Sequence, residues 1–424
     1  MPSGEIAMPQ HPIIQRSNLH AQRRPPASRQ RRKLLRIAAA AALTSLAGTG
    51  LSLPRKALAT QGQGSPRRLV LVELMGANDG LNTLVPWRHD LYRELRPRLA
   101  LGRDDVVDLD ADNGLHAAMT PLMEAWDHGE FAWVQGLGYP SPNRSHFTSI
   151  ALWETGGDGQ RQSRNGWMTE ALETGLPHAI EHAHGISMVA DMGLFESTGG
   201  RYLSIRDSLS LMATPTIGND TMPLDALSDN PLLDSVSTHV AATDELIGDI
   251  AARLEKTPRV EPLDNDQLGA QLADVLHLIR AGIDTPVYRV RLDGFDTHER
   301  QWDRHWRQLA RVAVPLAAFR EALIADGEWD NTIIMSYSEF GRRARENLSG
   351  GTDHGTAAPH FVIGGRVRGG LHSEAPDLEK LEDDDLVYTT DYRSLYDRML
   401  TDWLGIAEHR FRQYHDARLD DLVG

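Results

Sequence analysis

Five short phrases in the chain place acids and imidazoles where they could share a ligand: Asn78-Asp79-Gly80, Arg144-Ser145-His146, Asp293-Gly294-Phe295-Asp296-Thr297-His298, Ser338-Glu339-Phe340-Gly341 and Asp353-His354. Carboxylate oxygens mixed with imidazole nitrogens suit a divalent ion such as Zn or Mn, and a pair of such ions would hold a phosphate or sulfate ester. Each phrase also has a plainer reading. Asp79-Gly80 could be a turn, Asp296 or Thr297 could cap a helix beginning near residue 301, and Ser145, or Ser338 with Glu339, could cap others. His178, His182 and His184, spaced by four and two, read as structural residues on a surface helix.

The elements that must position these groups are legible from periodicity. Residues 68–74, 287–292 and 331–337 are apolar, β-rich runs, and each ends directly in one of the acidic phrases. Residues 131–134 and 360–364 add two more strands, and shorter strand-like runs lie at 186–189 and 201–205. Helical patterns fall at 147–153, 167–174, 232–254, 265–280, 301–326 and 391–404. Strands separated by helices long enough to cross over predict an α/β protein with a mainly parallel sheet sandwiched between helices. In such sheets ligands bind beyond the carboxyl ends of the strands, so phrases far apart in sequence could converge there. Residues 377–385 are an acidic run read as a solvated loop, and Arg342, Arg343 and Arg345 form a basic patch.

Residues 1–59 have the features of a signal peptide: paired arginines at 31 and 32, an uncharged Ala- and Leu-dominated run at 37–53, and Ala57-Leu58-Ala59 before the mature chain. The twin arginines point to the twin-arginine export machinery and a periplasmic or secreted product. The run is shorter than the roughly 20 apolar residues a membrane span needs. This leaves residues 60–424 as one domain with no stable membrane span.

The chain has no cysteine, which excludes disulfides, thiolate metal sites and any cysteine-derived nucleophile. The first 59 residues hold ten Lys or Arg and one Glu, a net of +9, so the whole-chain charge of −15 leaves −24 for the rest. So acidic a surface argues against nucleic acid or anionic membrane as partner. It would also repel an anionic substrate unless bound cations reverse the sign locally.

The segments LVLVELMGANDGLNTLVP, PNRSHFTSIALWETG, GFDTH, SEFGR and GTDHGTAAP, in that order after the leader, resemble the domain-of-unknown-function 1501 family of exported bacterial proteins. That family is grouped with the alkaline phosphatase and sulfatase superfamily. The resemblance implies an alkaline phosphatase-like fold with one or two metals at the strand ends, and a small-molecule or polysaccharide ester as substrate. It implies Asp79 as a ligand of one metal and Asp296 with His298 as ligands of the other, with Asp293 in reserve. Ser145 matches the nucleophile, Arg144 a partner of the ester oxygens, and His146 or His354 a carrier of the leaving-group proton. Glu339 falls where an Asp ligand is expected, Asp353-His354 where a later ligand is supplied, and Phe340 where a His is expected. Phenylalanine cannot ligate, so the implied metal-dependent hydrolase stands beside an alternative, a degenerate fold serving as a binding or assembly protein.

Overall fold

The computed structural model describes residues 66–158, 165–176, 180–197, 201–206 and 231–424; the signal-peptide reading of 1–59 and His178 lie outside them. Among the described residues no helix is long and apolar enough to cross a membrane.

The core is a nine-stranded sheet built from β1 (Arg68–Met75), β2 (Phe131–Gly138), β3 (Gly185–Ser187), β4 (Tyr202–Ser204), β5 (Val287–Asp293), β6 (Thr332–Tyr337), β9 (Ala358–Gly364), β10 (Gly370–His372) and β11 (Thr390–Asp391). The order is β10-β2-β9-β6-β1-β5-β3-β4, with β11 also paired to β2. Every pairing is parallel except the two made by β9, which runs against β2 and β6. The expected mainly parallel α/β architecture is therefore the one observed.

Period-two alternation shows why the sheet is covered on both faces. Val70, Val72 and Leu74 of β1 enter one apolar cluster while Leu69 and Leu71 enter the other. The first cluster is closed by α5 (Gln267–Arg280) and α6 (Gln301–Asp326), through residues such as Leu272, Val312 and Phe319. The second is closed by α2 (His146–Thr155), α3 (Trp167–Gly175) and α7 (Tyr392–Arg398), through Trp153, Trp167 and Tyr396. The segment between β2 and β5 extends the sheet edge as β3 and β4, and α4 (Pro231–Lys256) buries Ile250 and Leu254 in the first cluster.

Two sequence readings are corrected here. No helix carries His182 and His184: His182 is buried beside Asp249 and accepts from the Asp284 N–H, and His184 precedes β3. The acidic run is not wholly solvated, because Asp385 is buried and paired to Arg144.

A charged group interrupts the second face. Arg289 on β5 is buried and meets Glu73 at 2.7 Å, Glu154 at 2.8 Å and Asp191 at 2.5 Å, with Arg291 also on Glu73. Three acids share two guanidiniums, and burial, opposed by Arg289, pushes the Glu154 carboxyl up to about 7. Folded Glu154 thus keeps a proton that the unfolded chain releases near pH 4.5, so this site's contribution to stability falls as pH rises from about 4.5 to 7. We expect Glu154→Gln to be near neutral at pH 5 and stabilising by up to about 3 kcal/mol at pH 8. Urea denaturation of both proteins at the two pH values tests this, and an equal difference at both would contradict it.

Candidate metal centre

The centre sits on the rim where β1, β5 and β6 end side by side. Asp79 leaves β1, Asp296 and His298 leave β5, and Glu339 leaves β6. The loop from β2 reaches the same rim and delivers His146 as the first residue of α2. The reversed direction of β9 brings in the last group. The chain enters β9 from this rim, so the preceding hairpin, β7 (Arg342–Glu346) against β8 (Thr352–His354), stays there and presents Asp353 and His354.

Close packing fixes these exits. Gly76 has a φ of +110°, and a Cβ there would come within 2.4 Å of the Asp296 N, so only glycine lets the β1 and β5 loops touch. Gly351 meets the His298 backbone in the same way, at 2.2 Å from its carbonyl carbon. Arg342 is buried and donates to the carbonyls of Gly76 and Ala77, of Phe295 and of Thr352, stitching the β1 loop, the β5 loop and its own hairpin together.

Three imidazoles converge on Asp296. The His354 Nε2 lies 3.1 Å from the His146 Nε2 and 2.9 Å from the His298 Nε2. The Asp296 Oδ1 lies 3.0 Å from the His298 Nε2, 3.4 Å from that of His354 and 3.7 Å from that of His146. Each ring has its other nitrogen occupied. The His354 Nδ1 donates to the Arg144 carbonyl at 2.8 Å, the His146 Nδ1 to Glu339 at 3.2 Å and the His298 Nδ1 to Asp353 at 3.1 Å. With the proton on Nδ1, every Nε2 offers a lone pair, so the short contacts between them are not hydrogen bonds. They are what a cation would hold together. Ligands at 2.0–2.1 Å from a tetrahedral ion are separated by roughly 3.3 Å, and the five separations given above lie on either side of that value. The ligating atoms of His146, Asp296 and His354 all lie within 4.8 Å of one another, and His298 joins this set through His354 and Asp296.

The electrostatics of Asp296 and His354 favour a cation, and that of His146 favours a proton. Burial raises the Asp296 carboxyl, but the guanidinium of Arg342, 2.6 Å away, outweighs it and holds the group below its usual range. Burial lowers His354, whereas the Glu339 hydrogen bond raises His146.

The remaining candidates have other attachments. Glu339, almost fully buried, accepts from the Gly76 and Ala77 N–H groups, the Ser338 hydroxyl and the His146 Nδ1. It fixes the His146 ring, the arrangement found where acids lie behind metal-bound histidines. Asp353 plays the same part behind His298. Phe340 packs its ring 5.0 Å from that of His146 and 4.8 Å from that of His354, an apolar wall for two imidazoles. Asp79 is wholly buried and bonds Arg96 at 2.6 Å and the Gln301 amide. Arg144 pairs with Asp385. Ser145 is the exposed N-cap of α2 and makes no capping bond through its side chain. Asp293 is exposed at the end of β5.

Sequence reading did not place Arg96 and Arg342, which pair with Asp79 and Asp296 at the rim. Arg342 was legible only as part of a basic patch, which the strand splits by burying Arg342 and exposing Arg345. A cavity of about 390 Å³ is lined by Gly80, Leu81, Leu84, Ala357, Pro359 and Pro376 among others, and none of His146, Asp296, His298 or His354 lines it.

Fold and site together define a mostly parallel α/β protein with a histidine and carboxylate cluster at its strand ends. The chain belongs to the DUF1501 family, described as proteins of unknown function, whose model matches residues 121–423. No curated protein matches it in sequence. Among solved structures it is similar to a protein in the alkaline phosphatase superfamily from Vibrio parahaemolyticus, at 13% identity and a TM-score of 0.34 over 81% of this chain and 72% of that one. It is similar to the lipoteichoic acid synthase LtaP from Listeria monocytogenes at 8% identity and a TM-score of 0.37, over 84% and 77%. The PsFucS1 sulfatase from Pseudoalteromonas sp. shares 11% identity at a TM-score of 0.36, over 90% and 74%.

Proposed function

We propose that this chain is an exported, metal-dependent hydrolase of phosphate or sulfate esters, with His146, Asp296, His298 and His354 holding a divalent ion such as Zn or Mn. The observation that carries this reading is the convergence of three Nε2 lone pairs on one carboxylate, each ring locked by a hydrogen bond at Nδ1. An ion bound there supplies Lewis acidity, lowering the pKa of a water or hydroxyl and neutralising charge on the transferred group.

The chain's own groups supply the rest. Ser145 lies exposed one residue before His146, where the first N–H groups of α2 favour an anion. With both nitrogens of His146 and His354 engaged, neither is free to carry the leaving-group proton, which then comes from solvent on the open side at half-exposed Asp296. The substrate class this reading implies is a small-molecule or polysaccharide ester.

A second reading, a binding or assembly protein built on the same fold, is favoured by the pairing of Arg144 with Asp385, which takes that guanidinium away from any ester. Protein exported by the twin-arginine route and purified without chelator separates the two. Bound metal with turnover of aryl phosphates or aryl sulfates supports the hydrolase, and absence of both after adding Zn or Mn would sink it. If Ser145→Ala abolishes turnover but keeps the metal, serine is the nucleophile; unchanged turnover assigns that role to water.

A further inference from the structure

The resemblance implies Asp79 as a metal ligand, and its surroundings do not fit that role. Asp79 lies at the end of β1 with its side chain fully buried. One carboxylate oxygen takes the Arg96 guanidinium at 2.6 Å together with the Gln301 amide, and the other has no hydrogen-bond partner. Arg96 is equally buried and committed: it also donates to the Asn82 side chain at 2.7 Å and to the carbonyls of Ala344 and Arg343 at 2.9 and 2.8 Å. Next to Asp79, the Asn78 Oδ1 is taken by the His305 Nε2 at 2.9 Å. Burial drives His305 down to about 4, so it stays neutral and donates that hydrogen bond.

Charge balance leads the same way. The bonded network of the rim contains Asp79, Asp296, Glu339 and Asp353 against Arg96 and Arg342. Four carboxylates and two guanidiniums leave two negative charges, which one divalent ion neutralises. A second ion would leave an equal positive excess at the rim before any substrate arrived. Arg343, whose charge reaches Asp353 from outside the bonded network, would only enlarge that excess.

We propose that the centre takes a single divalent ion and that Arg96 is the permanent cation of the Asp79 position, so that Asp79 does not ligate. This rests on the metal-centre reading above. One cation of the site is thus covalently part of the chain and cannot be removed by chelation.

The test is stoichiometry. Full-length exported protein is stripped with chelator, reloaded with excess Zn(II) or, separately, Mn(II), freed of unbound ion and analysed for metal per chain. We expect one equivalent in the wild type and one in Asp79→Asn, with the rise in Tm on adding Zn(II) preserved in that variant. Two equivalents in the wild type, one of them lost in Asp79→Asn, would overturn the proposal while leaving the metal centre standing. No bound metal in the wild type would overturn both. Because Asp79→Asn removes a buried charge and could impair folding, the wild-type count decides alone if the variant is not recovered.

Discussion

Asp296→Ala should lose both bound metal and turnover, with metal affinity falling by at least about 100-fold, or about 2.7 kcal/mol. Two effects add. The ion loses its anionic ligand, and the buried Arg342, which gives Asp296 a hydrogen bond at 2.6 Å, is left as an unpaired cation beside the remaining imidazoles. Repulsion then replaces attraction at the place where the ion must sit. Glu339→Gln offers the contrast, because Glu339 touches His146, the Ser338 hydroxyl and loop backbone but not the place of the ion. Its loss should cost about 10- to 100-fold in affinity by loosening His146 and the Gly76–Ala77 turn. Calorimetric titration of stripped protein with Zn(II) measures both. Asp296→Ala binding zinc as tightly as wild type would remove the cluster from consideration as a metal centre.

Arg96→Met should destabilise the fold by about 3–5 kcal/mol, the largest stability effect expected of any single change at the rim. Arg96 and Asp79 are both fully buried, so removing the guanidinium strands a carboxylate with only the Gln301 amide to solvate it. The same change frees the carbonyls of Ala344 and Arg343, which pin the hairpin carrying His354. Burial by itself would raise the Asp79 carboxyl, and the Arg96 charge is what holds it below the usual value. Without Arg96 the group should take up a proton, recovering part of the loss at low pH. Asp79→Leu combined with Arg96→Met should cost less than the two changes separately summed, since neither charge is then stranded. Denaturant melts of the four proteins close the cycle, and a single-variant loss under about 1 kcal/mol would show the pair to be incidental.

The sequence reading succeeded where the signal was local. Apolar runs such as LVLVEL and TIIMSY are long enough, and β-branched enough, to identify β1 and β6, and the acids that follow each run are its next residues along the chain. Placing those acids at strand ends needed only the rule that parallel strands share a carboxyl edge. The helix expected at His182 and His184 failed because that spacing reports histidines and not an apolar stripe. In the structure the segment is an approach to β3, one strand in from the sheet edge, and His182 is consumed by Asp249 and the Asp284 N–H.

By itself, then, the sequence determined which residues reach the rim: Asp79, His146, Asp296, His298, Glu339, Asp353 and His354 all lie within a few residues of an element whose pattern is plain. Only the tertiary structure decided what each of them does there. Asp79 and Glu339 look alike in sequence, acids just beyond buried strands, yet one faces Arg96 and the other faces two loop N–H groups and His146. A carboxylate's role follows from the nearest cation or donor, and these partners come from segments up to some 260 residues away, joined by strand order and by the reversal of β9. Pairing at that range is set by packing of the whole sheet, which no window of sequence contains.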